Sequence, residues 1–255
     1  MTTTTVDDVW VRRYRPAAGA KTSLVCFPHA GGSASFFAPV ARSLPPAVEV
    51  LALQYPGRQD RRHEPTIESI PELADRLFEV LRGLPGSDGR RLAFFGHSMG
   101  ATVAFEVIRR FEGECGVSPA MFWASARRAP SIPPDGRAVH RMDDEGLIAE
   151  LRRVSGTDSA LFADDELLRS LLPAIRGDYK AVETYACPAG AGVACPITVF
   201  AGDADPLTSA DQVSAWRGHT TGDFAMRVFP GGHFYLTART AEVVRAIRER
   251  LESDA

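Results

Sequence analysis

The stretch Leu92-Ala-Phe-Phe-Gly-His-Ser-Met-Gly-Ala101 decides the fold. Four apolar residues suited to a buried strand run into the pattern Gly-x-Ser-x-Gly, and a helical spacing of apolar residues begins at Ala101. A strand that turns this sharply into a helix leaves no room for side chains at the two ends of the turn, which accounts for Gly96 and Gly100. The turn would expose the hydroxyl of Ser98 at the end of the strand, as a nucleophile requires. The N-terminus of the following helix would favour developing negative charge at the same place.

On both sides of this stretch, short β-rich apolar runs alternate with segments of helical periodicity. Runs that are apolar at nearly every position are typical of central strands in a parallel sheet covered on both faces. The sequence therefore predicts an α/β fold with a mostly parallel sheet and helices on both faces. The predicted strands are 23–27, 48–53, 91–95, 120–124, 197–201 and 224–229, and the clearest helical patterns are 70–81, 101–111 and 243–251.

Residues 131–185 interrupt this alternation, because they hold helical patterns and no strand-like run. Asp143 and Asp144 are candidate N-caps for one of these helices. The segment is either a lid over the carboxyl edge of the sheet or a pair of ordinary crossover helices. Its length favours the lid, since connections between elements are typically short. We therefore expect one domain, 1–255, with a helical lid inserted at about 131–185.

A histidine near the end of the chain is the expected base for Ser98. In this kind of strand–turn–helix fold the order is serine, acid, histidine, and His233 follows the last predicted strand within Gly-Gly-His-Phe. His219 is the rival, but it stands in a polar loop before that strand and is expected to be a solvated surface residue. His97 would leave the turn in a different direction from Ser98, and we expect it to pack beneath the turn and support it.

The acid should lie at the end of the preceding strand, where the sequence reads Gly202-Asp-Ala-Asp-Pro206. Asp205 is the predicted partner of His233, because the proline after it forces an extended backbone. Asp203 is expected to be a turn residue that accepts hydrogen bonds from local amides. Nucleophile, base and a carboxylate that fixes the tautomer of the base make a catalytic triad.

Acyl transfer also needs hydrogen-bond donors for an oxyanion. One is expected to be the backbone N–H of Met99, the residue after the nucleophile. The other should come from the glycine-containing loop 28–33 after the first predicted strand, where we assign it to the N–H of Ala30. His29 in the same loop is expected to be structural.

Composition argues against several classes of function. The net charge of −3 gives no reason to expect nucleic acid or an anionic membrane as partner. The four cysteines form no C-x-x-C pair, and no segment has the roughly 18 consecutive apolar residues of a membrane span. The start of the chain lacks the basic and apolar regions of a signal peptide. We expect a soluble, cytoplasmic protein without a metal or other cofactor, monomeric by default.

Sequence blocks along the whole chain carry a family resemblance. They are Cys26-Phe-Pro-His-Ala-Gly-Gly-Ser-Ala34, Tyr55-Pro-Gly-Arg58, Phe95-Gly-His-Ser-Met-Gly100, Ser125-Ala-Arg-Arg-Ala-Pro130, Pro173-Ala-Ile-Arg-Gly-Asp178, Gly202-Asp-Ala-Asp-Pro206 and Gly231-Gly-His-Phe-Tyr-Leu236. In this order they resemble the type II thioesterases, stand-alone editing hydrolases that accompany polyketide synthases and nonribosomal peptide synthetases.

The resemblance implies an α/β-hydrolase fold and a substrate. Carried over to this sequence, it makes Ser98 the acylated nucleophile, Asp205 the acid and His233 the base, with oxyanion donors at Ala30 and Met99. It further implies an acyl or peptidyl carrier protein as partner, whose phosphopantetheine arm carries the thioester, and a lid that shapes the acyl chamber. Its members clear stalled or misprimed carrier proteins.

The residues alone leave other functions open. A small-molecule esterase or lipase would carry the same triad, and so would an acyltransferase that passes the acyl group to an alcohol. A non-catalytic binding module on the same scaffold is a third alternative, since fold does not fix function. Arg58 also has two interpretations: contact with the carrier protein or its phosphate, or a structural role in tying down a loop.

Overall fold

A seven-stranded sheet forms the centre of the computed structural model, which describes residues 9–83, 89–155 and 165–253. The strands are β1 (Val11–Arg12), β2 (Thr22–Phe27), β3 (Val48–Leu53), β4 (Arg91–His97), β5 (Met121–Ser125), β6 (Ile197–Gly202) and β7 (Phe224–Phe229). Their order across the sheet is β1-β3-β2-β4-β5-β6-β7, and every neighbouring pair is parallel except β1 with β3. The predicted mostly parallel sheet is confirmed.

The two edges of the sheet differ from the sequence prediction. Strand β1 was not predicted, because two residues are too few to show a periodicity. The expectation that 224–229 is covered on both faces is wrong: β7 is an edge strand, with Met226 and Val228 exposed at 43% and 51%. An apolar run alone does not tell an edge strand from a central one.

Helices cover both faces of the sheet, as predicted. They are α1 (Ala38–Ser43), α2 (Ile70–Leu81), α3 (Met99–Arg110), α4 (Asp144–Ser155), α5 (Asp165–Glu183), α6 (Ala210–Ser214), α7 (Tyr235–Ala238) and α8 (Thr240–Ser253). One apolar core lies between the sheet and α2 and α3, and a second lies between the sheet and α1 and α8. The apolar side chains of both cores are almost completely shielded from water. This burial is the main stabilising contribution to such a fold.

The segment between β5 and β6 is helical wherever the structure describes it. Within 131–155 and 165–185 it contains a 3₁₀ turn (Val139–Arg141), α4 and α5, and no strand. Residues 156–164 of the predicted lid lie outside the described residues. Of the two candidate caps, Asp143 caps α4 by accepting a hydrogen bond from the Gly146 N–H at 2.8 Å.

The helical insertion, residues 131–185, has a small apolar core of its own. Its buried members are Val139, Leu147, Ile148, Leu151, Leu168, Leu172 and Ile175. This cluster is separate from the two cores against the sheet. The insertion therefore buries its own apolar surface in addition to resting on the sheet.

Candidate active site

The turn at Ser98 is held by its backbone. Ser98 has φ 52° and ψ −119°, a conformation that non-glycine residues seldom adopt. Strained backbone of this kind is typical of functional sites. Its N–H donates to the carbonyl of Ser125 on the neighbouring strand at 2.8 Å. A side chain at Gly100 would overlap the backbone carbonyl of Phe27, and one at Gly96 would overlap the backbone of Ala101. Only glycine fits at both ends, as the sequence predicted.

The predicted serine, histidine and aspartate lie in line at the carboxyl ends of β4, β6 and β7. His233 Nε2 is 2.9 Å from Ser98 Oγ, and its Nδ1 is 2.9 Å and 3.1 Å from the two carboxylate oxygens of Asp205. The side chains of His233 and Asp205 are only 3% and 0% exposed. The structure therefore brings together three residues that are far apart in the sequence, in the arrangement that nucleophilic catalysis needs.

Asp205 is fixed by its own loop. Its Oδ1 accepts the N–H of Leu207 at 2.8 Å and its Oδ2 accepts the hydroxyl of Thr208 at 3.0 Å. Asp203 points elsewhere and accepts the N–H of Gly231 at 2.9 Å, which ties the loop after β6 to the loop that carries His233. Asp203 does accept a backbone amide, but the expectation of a local partner is wrong, because Gly231 is 28 residues away in the chain.

His97 lies buried beneath the turn, as expected. Its Nδ1 is 2.8 Å from the hydroxyl of Ser125, which in turn is 2.6 Å from the hydroxyl of Tyr235. Burial holds the pKa of His97 well below its usual value, and the nearby His233 and His29 add to the effect. His97 thus bonds Ser125 through Nδ1, and the imidazole within hydrogen-bond distance of Ser98 Oγ is that of His233.

The expectation of a solvated His219 is wrong. His219 is buried, with Nδ1 2.8 Å from the carbonyl of Ala191 and Nε2 2.8 Å from the hydroxyl of Ser131. Its ring also packs edge-on against Phe105 and Trp216. The surrounding sequence is polar, so this packing by residues distant in the chain left no local signal.

The two residues predicted to supply oxyanion donors lie near Ser98. Ala30 and Met99 both line a cavity together with Ser98. Met99 is the first residue of α3, so its N–H has no carbonyl partner within the helix. In the loop after β2, the N–H of Gly31 donates to Asp178 Oδ2 at 2.7 Å and the N–H of Gly32 donates to the carbonyl of His29 at 2.9 Å. Ala30 is the residue before these two, and the role of its amide as an oxyanion donor stays a prediction.

The cavity beside Ser98 measures about 70 Å³, and the insertion forms much of its wall. The insertion contributes Leu151, Val154, Tyr179 and Val182. The sequence did not identify these residues, because helical periodicity locates an apolar face without showing what it covers. A larger open groove of about 980 Å³ shares His29 and Phe234 with the cavity.

Comparison with known proteins decides the family. The family model described as Thioesterase domain matches residues 22–251. The chain belongs to the thioesterase family. Over 243 residues it is 50% identical to the thioesterase PikA5 of Streptomyces venezuelae, a match that covers 95% of this chain and 85% of that protein.

Solved structures of thioesterases agree with this fold. The type II thioesterase BorB from the borrelidin biosynthetic cluster is 50% identical, with a TM-score of 0.89 over 97% of this chain and 99% of that one. YbtT, a type II thioesterase from the yersiniabactin NRPS/PKS biosynthetic pathway, is 30% identical with a TM-score of 0.84 over 96% and 99%. The α/β-hydrolase fold and the resemblance to type II thioesterases are confirmed, and the chain is a hydrolase that acts on thioesters.

Arg58 of this thioesterase is buried at 2% exposure. Its guanidinium forms an ion pair with Asp178 at 3.0 Å, donates to the carbonyl of Gly32 at 3.3 Å, and lies over the ring of Tyr55. These contacts favour the structural interpretation of Arg58 over contact with a carrier protein. The sequence did not identify its partner, since Asp178 is 120 residues away.

The described residues contain no cluster of three or more His, Cys, Asp or Glu side chains placed to hold a metal ion. Within the same residues, no helix is long and apolar enough to span a membrane.

All four cysteines are free, and burial raises the pKa of the Cys26 and Cys195 thiols. Those two thiols are therefore unreactive at neutral pH.

Proposed function

We propose that this thioesterase hydrolyses acyl thioesters on the phosphopantetheine arm of acyl or peptidyl carrier proteins, and so removes stalled or aberrant acyl groups during polyketide or nonribosomal peptide biosynthesis. The single observation that supports this chemistry is the hydrogen-bonded row of Ser98, His233 and Asp205. Ser98 and His233 of this row line a mainly apolar cavity. The relatives named for such biosynthetic clusters and pathways support the choice of substrate.

Ser98 is the proposed nucleophile. The carboxylate of Asp205 accepts the Nδ1–H of His233, which leaves the Nε2 lone pair directed at Ser98 Oγ 2.9 Å away. His233 takes the serine proton as Oγ attacks the thioester carbonyl. The N–H groups of Ala30 and Met99 are the proposed donors to the resulting oxyanion. The use of the Gly31 and Gly32 amides by other acceptors supports Ala30 as the donor from its loop.

The second half of the reaction reuses the same groups. Collapse of the tetrahedral intermediate breaks the C–S bond, and the pantetheine thiol leaves with the proton that His233 held. Water then attacks the acyl-serine ester, His233 accepts its proton, and the free acid leaves as Ser98 regains its hydrogen. The chemistry balances without a metal or redox cofactor.

The proposal extends to the surroundings of the site. The insertion serves as a lid whose residues Tyr179 and Val182 help to enclose the acyl group. The open groove of about 980 Å³ that shares His29 and Phe234 with the cavity is the proposed entrance for the arm of a carrier protein. The enzyme is proposed to work in the cytoplasm as a monomer.

The test compares acid release from acyl-phosphopantetheinyl carrier protein with cleavage of a matched oxygen ester. In wild type, thioester cleavage should be the faster reaction. In Ser98→Ala it should fall by about 10⁴-fold or more while the fold stays intact by circular dichroism, since the nucleophile is lost. An added alcohol acceptor in the assay reveals acyl transfer by ester formation. Preference for the oxygen ester with the carrier thioester untouched would leave an esterase, and no cleavage at all by folded wild type would leave a binding module.

A further inference from the structure

Three sequence blocks, two of which the proposed mechanism leaves unused, meet at one buried point. The loop 28–33, the turn Tyr55-Pro-Gly-Arg58 and the block Pro173–Asp178 within α5 converge on the carboxylate of Asp178. Two of them belong to the sheet domain and one belongs to the insertion. The junction therefore joins the proposed oxyanion loop to the proposed lid.

The junction is a closed set of hydrogen bonds. Asp178 Oδ2 accepts the N–H of Gly31 at 2.7 Å, and Asp178 Oδ1 accepts Arg58 Nη2 at 3.0 Å. Arg58 Nη1 donates to the carbonyl of Gly32 at 3.3 Å, which returns to the same loop. Both charged side chains are only 2% exposed. The loop is thus held at two successive residues, through the donating N–H of Gly31 and the accepting carbonyl of Gly32.

Stability alone is a weak reason for such a pair. Burial raises the pKa of Asp178, and the charge of Arg58 and the hydrogen bond from Gly31 only partly oppose this cost. Apolar side chains of similar volume commonly stabilise a fold as well as a buried ion pair does. What an apolar pair cannot do is orient a backbone N–H, and Asp178 orients the one next to Ala30.

The backbone fit makes the link between loop and helix tight. Gly31 has φ +72°, and a Cβ there would lie 2.5 Å from Ile175 Cγ1 on α5. Gly57, beside Arg58, has φ +87°, and its Cβ would lie 3.6 Å from Ala174 Cβ on the same helix. The loop and the turn therefore lie directly against α5, so displacement of this helix would withdraw the acceptor of the Gly31 amide.

We propose that Asp178 and Arg58 are positioning residues that orient the oxyanion loop and couple it to α5, so that the Ala30 amide faces the substrate oxygen only when the insertion is seated. The proposal rests on the proposed function, in which Ala30 is an oxyanion donor. It predicts that loss of the junction weakens binding of the tetrahedral state more than binding of the substrate. A purely structural junction would change stability without this selectivity.

The test measures kcat, KM and two affinities in Asp178→Ala and Asp178→Asn. An alkylboronic acid forms a tetrahedral adduct with Ser98 and probes the oxyanion donors, while a carrier protein bearing a non-hydrolysable acyl thioether probes substrate binding. For Asp178→Ala we expect kcat and boronate affinity to fall together by about 10²-fold, the scale of a lost oxyanion donor, with KM and thioether affinity within about twofold. Asp178→Asn keeps an oxygen for the Gly31 amide and should recover about 10-fold of each loss.

Glu183→Gln is the matched control. Glu183 is another carboxylate of α5 that accepts backbone amides, from Val139 at 2.8 Å and His140 at 3.1 Å, but both lie within the insertion. It should leave boronate affinity unchanged. If the Asp178 variants keep wild-type boronate affinity, or lose thioether affinity equally, the proposal is overturned, and Asp178→Asn decides if Asp178→Ala does not fold. Failure of the proposed function shows separately, as absence of carrier-thioester cleavage by wild type.

Discussion

The turn at Ser98 and the helical insertion above it are held in place by different means. At the turn, backbone lies against backbone: Gly96 and Gly100 have no space for a Cβ, and the N–H of Ser98 bonds directly to the next strand. The insertion has its own apolar core and contacts the rest of the molecule through side chains. Examples are Asp178 with Arg58 and Tyr185 with Glu106, whose oxygens are 2.7 Å apart.

The Ser98 turn and the insertion are therefore suited to different roles, the turn to precise geometry and the insertion to variation. The proposed proton transfer from Ser98 to His233 tolerates little error in distance, and backbone packing has few alternative arrangements. Side-chain contacts have more alternative arrangements than backbone packing, so the lining residues of the insertion can be exchanged without disturbing the backbone of the Ser98 turn. Three predictions challenge or sharpen this division.

The largest effect is expected from adding one methyl group at the turn. In Gly100→Ala the new Cβ would overlap the carbonyl of Phe27, which is backbone and cannot move aside, so we expect a loss of more than about 4 kcal/mol in unfolding free energy or no folded protein. Gly177→Ala in α5 is the counterpart. There the Cβ would lie 2.7 Å from the Thr66 hydroxyl, which can rotate, and alanine's higher helix propensity of about 1 kcal/mol offsets the contact. Urea denaturation measures both, and equal losses would contradict the division.

A core substitution in the insertion should have a smaller and local effect. Leu172 is 2% exposed within the insertion's own cluster, and Leu172→Ala should remove about 3 kcal/mol of local stability. Hydrogen exchange followed by mass spectrometry should show faster exchange for amides of α4 and α5, with β4 and β5 unchanged. Equal acceleration in these strands would show that insertion and sheet open as one unit.

The smallest effect is a pH dependence that belongs to the turn. The depressed pKa of His97 means that the folded protein leaves this ring neutral while the unfolded chain protonates it below about pH 6.5. Stability is therefore fully present above that pH and falls as the pH is lowered, by about 1.4 kcal/mol per pH unit for one proton. His97→Asn should remove this contribution from the slope of unfolding free energy between pH 6 and 5. An unchanged slope would show that His97 is protonated in the folded state.

Local signals explain why much of the fold could be predicted from the sequence. Apolar runs mark the central strands, and Gly-x-Ser-x-Gly marks a turn whose constraint is set by its own residues. Once Ser98 was placed, the order of the chain and the glycines beside His233 pointed to the other residues at the same sheet edge.

Other features depend on contacts that no short stretch records. His219 looked solvated because its partners, Ala191 and Ser131, are 28 and 88 residues away. The exposure of β7 follows from being last in the sheet order, and the link from Asp178 to Arg58 follows from how α5 lies on the loop. Tertiary packing decides each of these, so periodicity and propensity leave them open.

The wall of the cavity has a consequence for how such enzymes diversify. Leu151, Val154, Tyr179 and Val182 all come from one uninterrupted part of the chain, whereas Ser98 precedes it and the acid and base follow it. Under the proposed function, exchange of the one segment between β5 and β6 would change the acyl preference and leave Ser98, Asp205 and His233 unchanged. The exchanged segment would need its own equivalent of Asp178, because the Gly31 amide and Arg58, the partners of Asp178, lie outside the insertion.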